Sequence, residues 1–204
     1  QDAATPFSRT WLLNEARRMA GEAFSEQPAS IPPYWRDLSY DQYRDIRFKM
    51  DRALWREEPR GFQVDLLHSG FIFRQPVAVH VVEEGQARLL RFNRDLFDYG
   101  ASVEAPAPEI DLGYTGLRVR RPINQGDVWD EFAVFQGATY FRAVAAGQQY
   151  GLSARGLAIA TGDPMGEEFP TFRGYWIERP QQGATALVVH ALLDSPSTTG
   201  AVRF

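Results

Sequence analysis

The chain has 204 residues, 44% of them hydrophobic and 24% charged, with a formal net charge of −4, proportions that describe an ordinary folded domain. An acidic balance excludes nonspecific nucleic-acid binding, which draws on a clustered basic field to release counterions, and Arg118, Arg120 and Arg121 are too few to supply one. The absence of cysteine rules out disulfides and thiolate zinc sites, and no apolar run has the length of a membrane-spanning helix.

The chain opens on polar Gln1-Asp2-Ala3-Ala4, with neither the charged nor the apolar region of a signal peptide. Such a start fits a cytoplasmic chain and a mature exported one equally. Ser8 is placed to cap a helix over residues 9–24. Leu12, Ala16, Met19, Ala20, Ala23 and Phe24 recur on one face, with Arg17, Arg18 and Glu22 on the other. Pro28 and Ile31-Pro32-Pro33 break it. Ser39 and Gln42 have capping-box spacing for a short helix over Tyr40–Arg44.

Strand patterns follow. Phe62–Leu66 alternates, Gly70 punctuates before Phe71-Ile72-Phe73, and Val77–Val82 and Ala87–Phe92 flank a Gly-containing hairpin loop. Leu117–Arg120, Gly156–Thr161, Phe172–Arg179, Ala186–Leu193 and Ala201–Phe204 complete the set. Short strands separated by 17 Gly and 13 Pro predict one all-β domain, an antiparallel β-sandwich with a short N-terminal helical segment. The last residues read as a strand just after a turn, so the sandwich is expected to draw further strands from beyond Phe204 and to be unstable without them.

His68, His80 and His190 each stand alone in a predicted strand, without the close ligand pair of a metal site. His190, Asp194 and Ser195 lie too near one another along one strand to converge as a triad. Asp130-Glu131 and Glu167-Glu168 are adjacent acids; neighbours in a strand point to opposite faces, so neither pair alone makes the facing carboxyls of a glycosidase. Ion pairing with Arg142, Arg155 or Arg173 is the alternative use of these acids. Rings, guanidinium groups and carboxylates are densest over Gly137–Pro180, a mixture that suits sugar recognition and equally an aromatic core with salt-bridged edges.

The blocks Tyr140-Phe141-Arg142, Tyr150-Gly151-Leu152-Ser153-Ala154-Arg155-Gly156, Gly166-Glu167-Glu168-Phe169-Pro170, Trp176-Ile177-Glu178-Arg179-Pro180 and Leu192-Leu193-Asp194-Ser195-Pro196 resemble signature blocks of the periplasmic glucan biosynthesis protein family, G/D type. The resemblance covers the whole chain. It implies an exported, periplasmic protein with a galactose-mutarotase-like sandwich followed by an immunoglobulin-like domain, of which residues 1–204 are the N-terminal part of the sandwich. It further implies a role with the β-1,2-linked glucose backbone of osmoregulated periplasmic glucans, as an endo-β-1,2-glucanase or transglycosylase, with the catalytic acids downstream of Phe204. No metal, cofactor or nucleic acid is implied, and a homodimer is left open. At Ala160 the family pattern more often has Asp, which either lines the cleft or caps a turn.

Two readings therefore stand beside each other, a glucan-processing enzyme and a non-catalytic carbohydrate-binding module that organises polymerisation. A purely structural domain is a third reading if the aromatics are buried. The expected substrate-binding residues are Tyr140, Arg142, Tyr150, Arg155, Glu167, Glu168, Arg173, Trp176 and Glu178. Trp176 and Glu178 share a strand face and are assigned the sugar side, with Tyr175 and Ile177 on the core side.

Overall fold

Ser8 caps the first helix as its position predicts, accepting a hydrogen bond from the Trp11 amide at 3.1 Å. The computed structural model describes residues 3–27, 31–148 and 151–204. In chain order it contains β1 (Thr5–Pro6), α1 (Arg9–Ala20), α2 (Pro33–Arg36), α3 (Tyr40–Arg44), β2 (Ile46–Phe48), β3 (Gln63–His68), β4 (Ala78–Glu83), β5 (Gln86–Leu89), β6 (Phe97–Tyr99) and β7 (Tyr114–Arg121). It continues with β8 (Asp130–Gln136), β9 (Tyr140–Ala143), β10 (Leu152–Arg155), β11 (Thr171–Glu178), β12 (Val189–Asp194) and β13 (Thr199–Arg203).

Helix α1 stops at Gly21, short of the expected residue 24. Phe24 leaves the helical path and lies under the Arg173 guanidinium, 5.4 Å from ring centroid to Cζ. At α3 both halves of the Ser39–Gln42 capping box are made. Pro33, read as a breaker, instead opens the one-turn helix α2, where its missing N–H is not needed.

The strands form two main sheets, ordered β1-β5-β4-β11-β12-β13 and β10-β9-β8-β7-β3, beside a small β2-β6 pair. Every pairing within these sheets is antiparallel except β4 with β11. The sheets face each other across a core that includes Val64, Leu66, Leu117, Phe135, Tyr175 and Ile177. Burying two inner faces against each other is the driving force of a sandwich. The all-β sandwich expected from the strand pattern is the architecture found.

Several segments differ from their expected form. Phe71-Ile72-Phe73 is a tight turn, closed by reciprocal Gly70–Phe73 backbone hydrogen bonds of 2.8 and 2.9 Å. Gly156–Thr161 is not a strand; the strand precedes it as β10, whose Leu152, Ser153 and Ala154 are all exposed. Strands β8 and β9 lie where no strand was expected.

Outside the six-stranded sheet, α1 packs Leu12 and Ala16 onto Val82, Trp176 and Leu192, with Phe7 closing the cluster. This sheet is therefore apolar on both faces. Among the described residues, the outer face of the five-stranded sheet carries no such helix and is lined by polar side chains of β3, β7 and β8.

Candidate functional site

A break in the β11–β12 ladder sets the centre of the site. Thr171 faces Asp194 and Phe172 faces Leu193, but Gly174 faces Leu192, leaving Arg173 as the extra residue of a β-bulge. A bulge re-aims the side chain it inserts. Arg173 donates to Asp194 Oδ2 from Nη2 at 2.9 Å and from Nε at 3.3 Å, and to the Ser25 carbonyl at 2.9 Å. Thr199 Oγ1 donates to the other Asp194 oxygen at 2.7 Å. Both members of the ion pair are only 9% exposed, so the guanidinium is fixed.

Two hollows meet around this pair, and a third adjoins them. The first, about 490 Å³, runs between the end of α1 and the hydroxyl-rich turn Ser195–Thr199. The second, about 450 Å³, shares Phe24, Gln27, Arg173 and Asp194 with it and is bounded by Met165–Phe169. The third, about 300 Å³, shares Gln27, Gln75 and Thr171 with the second and ends against Phe73 and Phe172. Together they make one groove along an end of the sandwich. Phe24 and Phe169 stand in it with exposures of 38% and 50%.

The adjacent acids Glu167 and Glu168 take different partners in the loop before β11, where Glu168 makes only an isolated bridge to Ile159. Glu167 pairs with Arg155, whose guanidinium lies over the Tyr140 ring at 5.7 Å and the Phe169 ring at 5.5 Å. Glu168 accepts from the Ser197 amide at 3.0 Å and its hydroxyl at 2.8 Å. Hydrogen bonds from Ser195 and Ser197 hold the Glu168 carboxyl below its ordinary range. It is an acceptor at neutral pH rather than a proton donor.

Of the expected site residues, Glu167, Glu168 and Arg173 meet in the groove, and Arg155 and Tyr140 buttress its Phe169 wall. Arg142 lies apart, on the outer face of the five-stranded sheet. Tyr150 lies outside the described residues.

Trp176 requires a correction. It does share a face with Glu178, but α1 covers that face and leaves Trp176 only 7% exposed. Its ring stacks on His80 at 4.9 Å and Phe7 at 5.7 Å and lies over Gly174, where an added Cβ would come within 2.8 Å of it. A sugar ring has no access there. Glu178, at the edge of the same face, holds His190 Nε2 at 2.6 Å and stands apart from the groove.

Asp194, Phe24 and Phe169 were not among the expected site residues. Asp194 and Phe169 sit within blocks that carry the family resemblance, and Phe24 was assigned to the apolar face of a longer helix. Among the described residues no group of His, Asp and Glu could hold a metal ion.

The fold and groove define a β-sandwich protein with an aromatic, hydroxyl-walled cleft. The chain belongs to the family described as "Periplasmic glucan biosynthesis protein, MdoG", whose model matches residues 7–204. It is 50% identical over 189 residues to "Glucans biosynthesis protein G" of Rhodopseudomonas palustris strain BisA53, covering 93% of this chain and 38% of that protein. Proteins of the same name from Vibrio cholerae serotype O1 and Shewanella frigidimarina are 46% and 45% identical over 198 residues, each covering 97% of this chain and respectively 36% and 35% of theirs. The chain spans less than two fifths of the length of these curated relatives. No helix among the described residues is long and apolar enough to cross a membrane.

Proposed function

We propose that, within periplasmic glucan biosynthesis, this chain supplies a groove that holds the β-1,2-linked glucose backbone. The observation that carries this reading is Arg173, aimed by a bulge to the junction of the hollows and braced over Phe24. Pyranose rings present apolar C–H faces to Phe24 and Phe169, and their hydroxyls meet the Ser195–Thr199 turn and Glu168.

The groove suits binding rather than cleavage. Inverting hydrolysis uses two carboxyls roughly 6.5–9.5 Å apart, one of them protonated. Here Asp194 is paired with Arg173, Glu167 with Arg155, and Glu168 is held ionised by serines. Glucanase or transglycosylase chemistry in the full-length protein therefore draws its acids from other residues. If none serves, the protein is a binding module that organises polymerisation.

The test is calorimetric titration of the full-length protein with linear β-1,2-glucooligosaccharide. Phe169→Ala removes a half-exposed ring whose stacking is worth on the order of 1 kcal/mol, so affinity should fall about fivefold while the melting temperature holds. Unchanged affinity would remove the groove from the binding path.

A further inference from the structure

Strand register aligns one row of side chains across all five strands of the second sheet. Asp65 faces Arg118, Arg118 faces Val134, Val134 faces Arg142, and Arg142 faces Ser153. This row lies on the outer face, opposite Leu117, Phe135 and Phe141 of the core side. The neighbouring row on the same face brings Gln63, Arg120 and Glu131 together.

The charges on this face form a chain that runs from the interior to solvent. Fully buried Asp65 accepts from Arg120 Nε at 2.7 Å and lies 3.7 Å from Arg118 Nη1. Arg118 Nε in turn lies 2.8 Å from Glu131, whose side chain is 42% exposed. The Arg118 guanidinium thus lies between a buried and an exposed carboxylate as an ion pair, its Nε making no hydrogen bond to Glu131 among the described residues. Asp65 Oδ1 and Gln63 Oε1 are buried without a hydrogen-bond partner in the described protein, an unusual feature beneath an open face.

Beside Glu131 is a hollow of about 380 Å³, lined by Glu131, Val134 and Arg142 of this face together with Phe132, Ala143 and Val144. Arg142 is exposed, and its side chain makes no ion pair or hydrogen bond with any described residue. The hollow therefore offers a planar donor fork unpaired among the described residues, an exposed carboxylate acceptor beside Arg118 and an apolar patch. Those are three contacts that vicinal hydroxyls and a ring C–H face can use.

We propose that this hollow is a second saccharide subsite, separate from the groove, where Arg142 donates to vicinal hydroxyls of a pyranose and Glu131 accepts from another. The inference rests on the glucan reading above. A neutral polyol fits better than an anion: Asp65 and Glu131 offset Arg118 and Arg120, and an anion at Arg142 would meet the Glu131 carboxylate. Asp65 is a positioning residue, reaching the hollow only through Arg118.

The experiment is calorimetric titration of the full-length protein with a short linear β-1,2-glucooligosaccharide, with melting curves as the folding control. Two binding events are expected. Arg142→Ala, at an exposed position, should abolish one without lowering the melting temperature, and Glu131→Gln should weaken the same event about tenfold. Phe169→Ala should affect only the other. A single event that is lost with Phe169 and indifferent to Arg142 would overturn the subsite and leave the groove standing. A single event that is lost with Arg142 would do the reverse. Inorganic phosphate binding that depends on Arg142, with no saccharide binding there, would also overturn the proposal by making the hollow an anion site.

Discussion

Replacing Trp176 with alanine should unfold the protein more readily rather than weaken the proposed binding of sugar. The indole is 7% exposed and is enclosed by Phe7, Leu12, Ala16, Val82 and Leu192. It stacks on His80 with an interplanar angle of 2° and on Phe7 with 12°, and meets Trp11 edge-on at 5.7 Å. A buried Trp→Ala substitution typically costs about 3–5 kcal/mol, and the site cannot easily collapse because the ring rests on Gly174, which has no side chain to fill the space. For a domain of this size that corresponds to a melting shift on the order of 10 °C. Because α1 is held to the sheet by this cluster, its amides should also lose hydrogen-exchange protection. Trp176→Phe, which keeps an aromatic ring in the stack, should recover part of the loss. The assay is a melting curve beside a calorimetric titration with β-1,2-glucooligosaccharide in the full-length protein. A melting temperature within about 2 °C of the parent, a change worth less than roughly 1 kcal/mol, together with a large loss of affinity would refute the packing argument.

Two further outcomes follow from backbone and titration. Ala160 sits at φ 53° as the first residue of a turn closed by the Asp163 amide on its carbonyl at 3.0 Å. Left-handed backbone costs an L-residue about 1–2 kcal/mol, so Ala160→Gly should raise stability by roughly 1 kcal/mol and Ala160→Asp by less; a destabilised Gly variant in chemical denaturation would contradict this. His68 is enclosed by Trp35, Phe92 and Phe97, and burial pushes its imidazole down to about 4, against the raising effect of its bond to the Ser69 carbonyl. The unfolded chain takes up this proton near pH 6.5 and the folded chain only near 4. Stability from this group is therefore complete above pH 6.5 and is lost on acidification toward 4, by up to about 1.4 kcal/mol per pH unit. Denaturant titrations across that range should be flatter for His68→Gln; equal slopes would assign the acid sensitivity elsewhere.

What the sequence made legible was local. The Ser8 cap, the Ser39–Gln42 capping box and the β4–β5 hairpin each depend on residues a few positions apart. Strand β8 escaped because its register slips against β7 between Val119 and Arg120. Glu131 thereby joins the outer face and Phe132 packs against the core, so no simple alternation survives in the sequence. Strand β10 escaped because it is an exposed edge recognised only by its backbone pairing with β9. The parity of Trp176 and Glu178 was readable, but not that α1 returns to cover their face. The bulge at Arg173 was equally silent, since the extra residue is defined only against the partner strand. The adjacent acids were read as splayed by strand parity; they lie instead in the loop before β11, with Arg155 and Ser197 as their separate partners.

The self-pairing of these charges bears on function as well as on stability. A site for an ionic ligand must leave its own charge unsatisfied, which is costly when the group is buried. A neutral polymer imposes no such demand. In the groove Arg173 and Asp194 neutralise each other at 9% exposure, and Arg155 and Glu167 do so behind Phe169. What remains presented is a set of rings, hydroxyls and unused carboxylate lone pairs, held rigid by the pairs beneath them. Rigid pairing also explains why removing one partner should be worse than exchanging it. Asp194 stripped of Arg173 would be a buried, uncompensated carboxylate, whereas Phe169 can be removed with the scaffold intact. The exposed ring therefore separates recognition from folding, and the bulged arginine couples them.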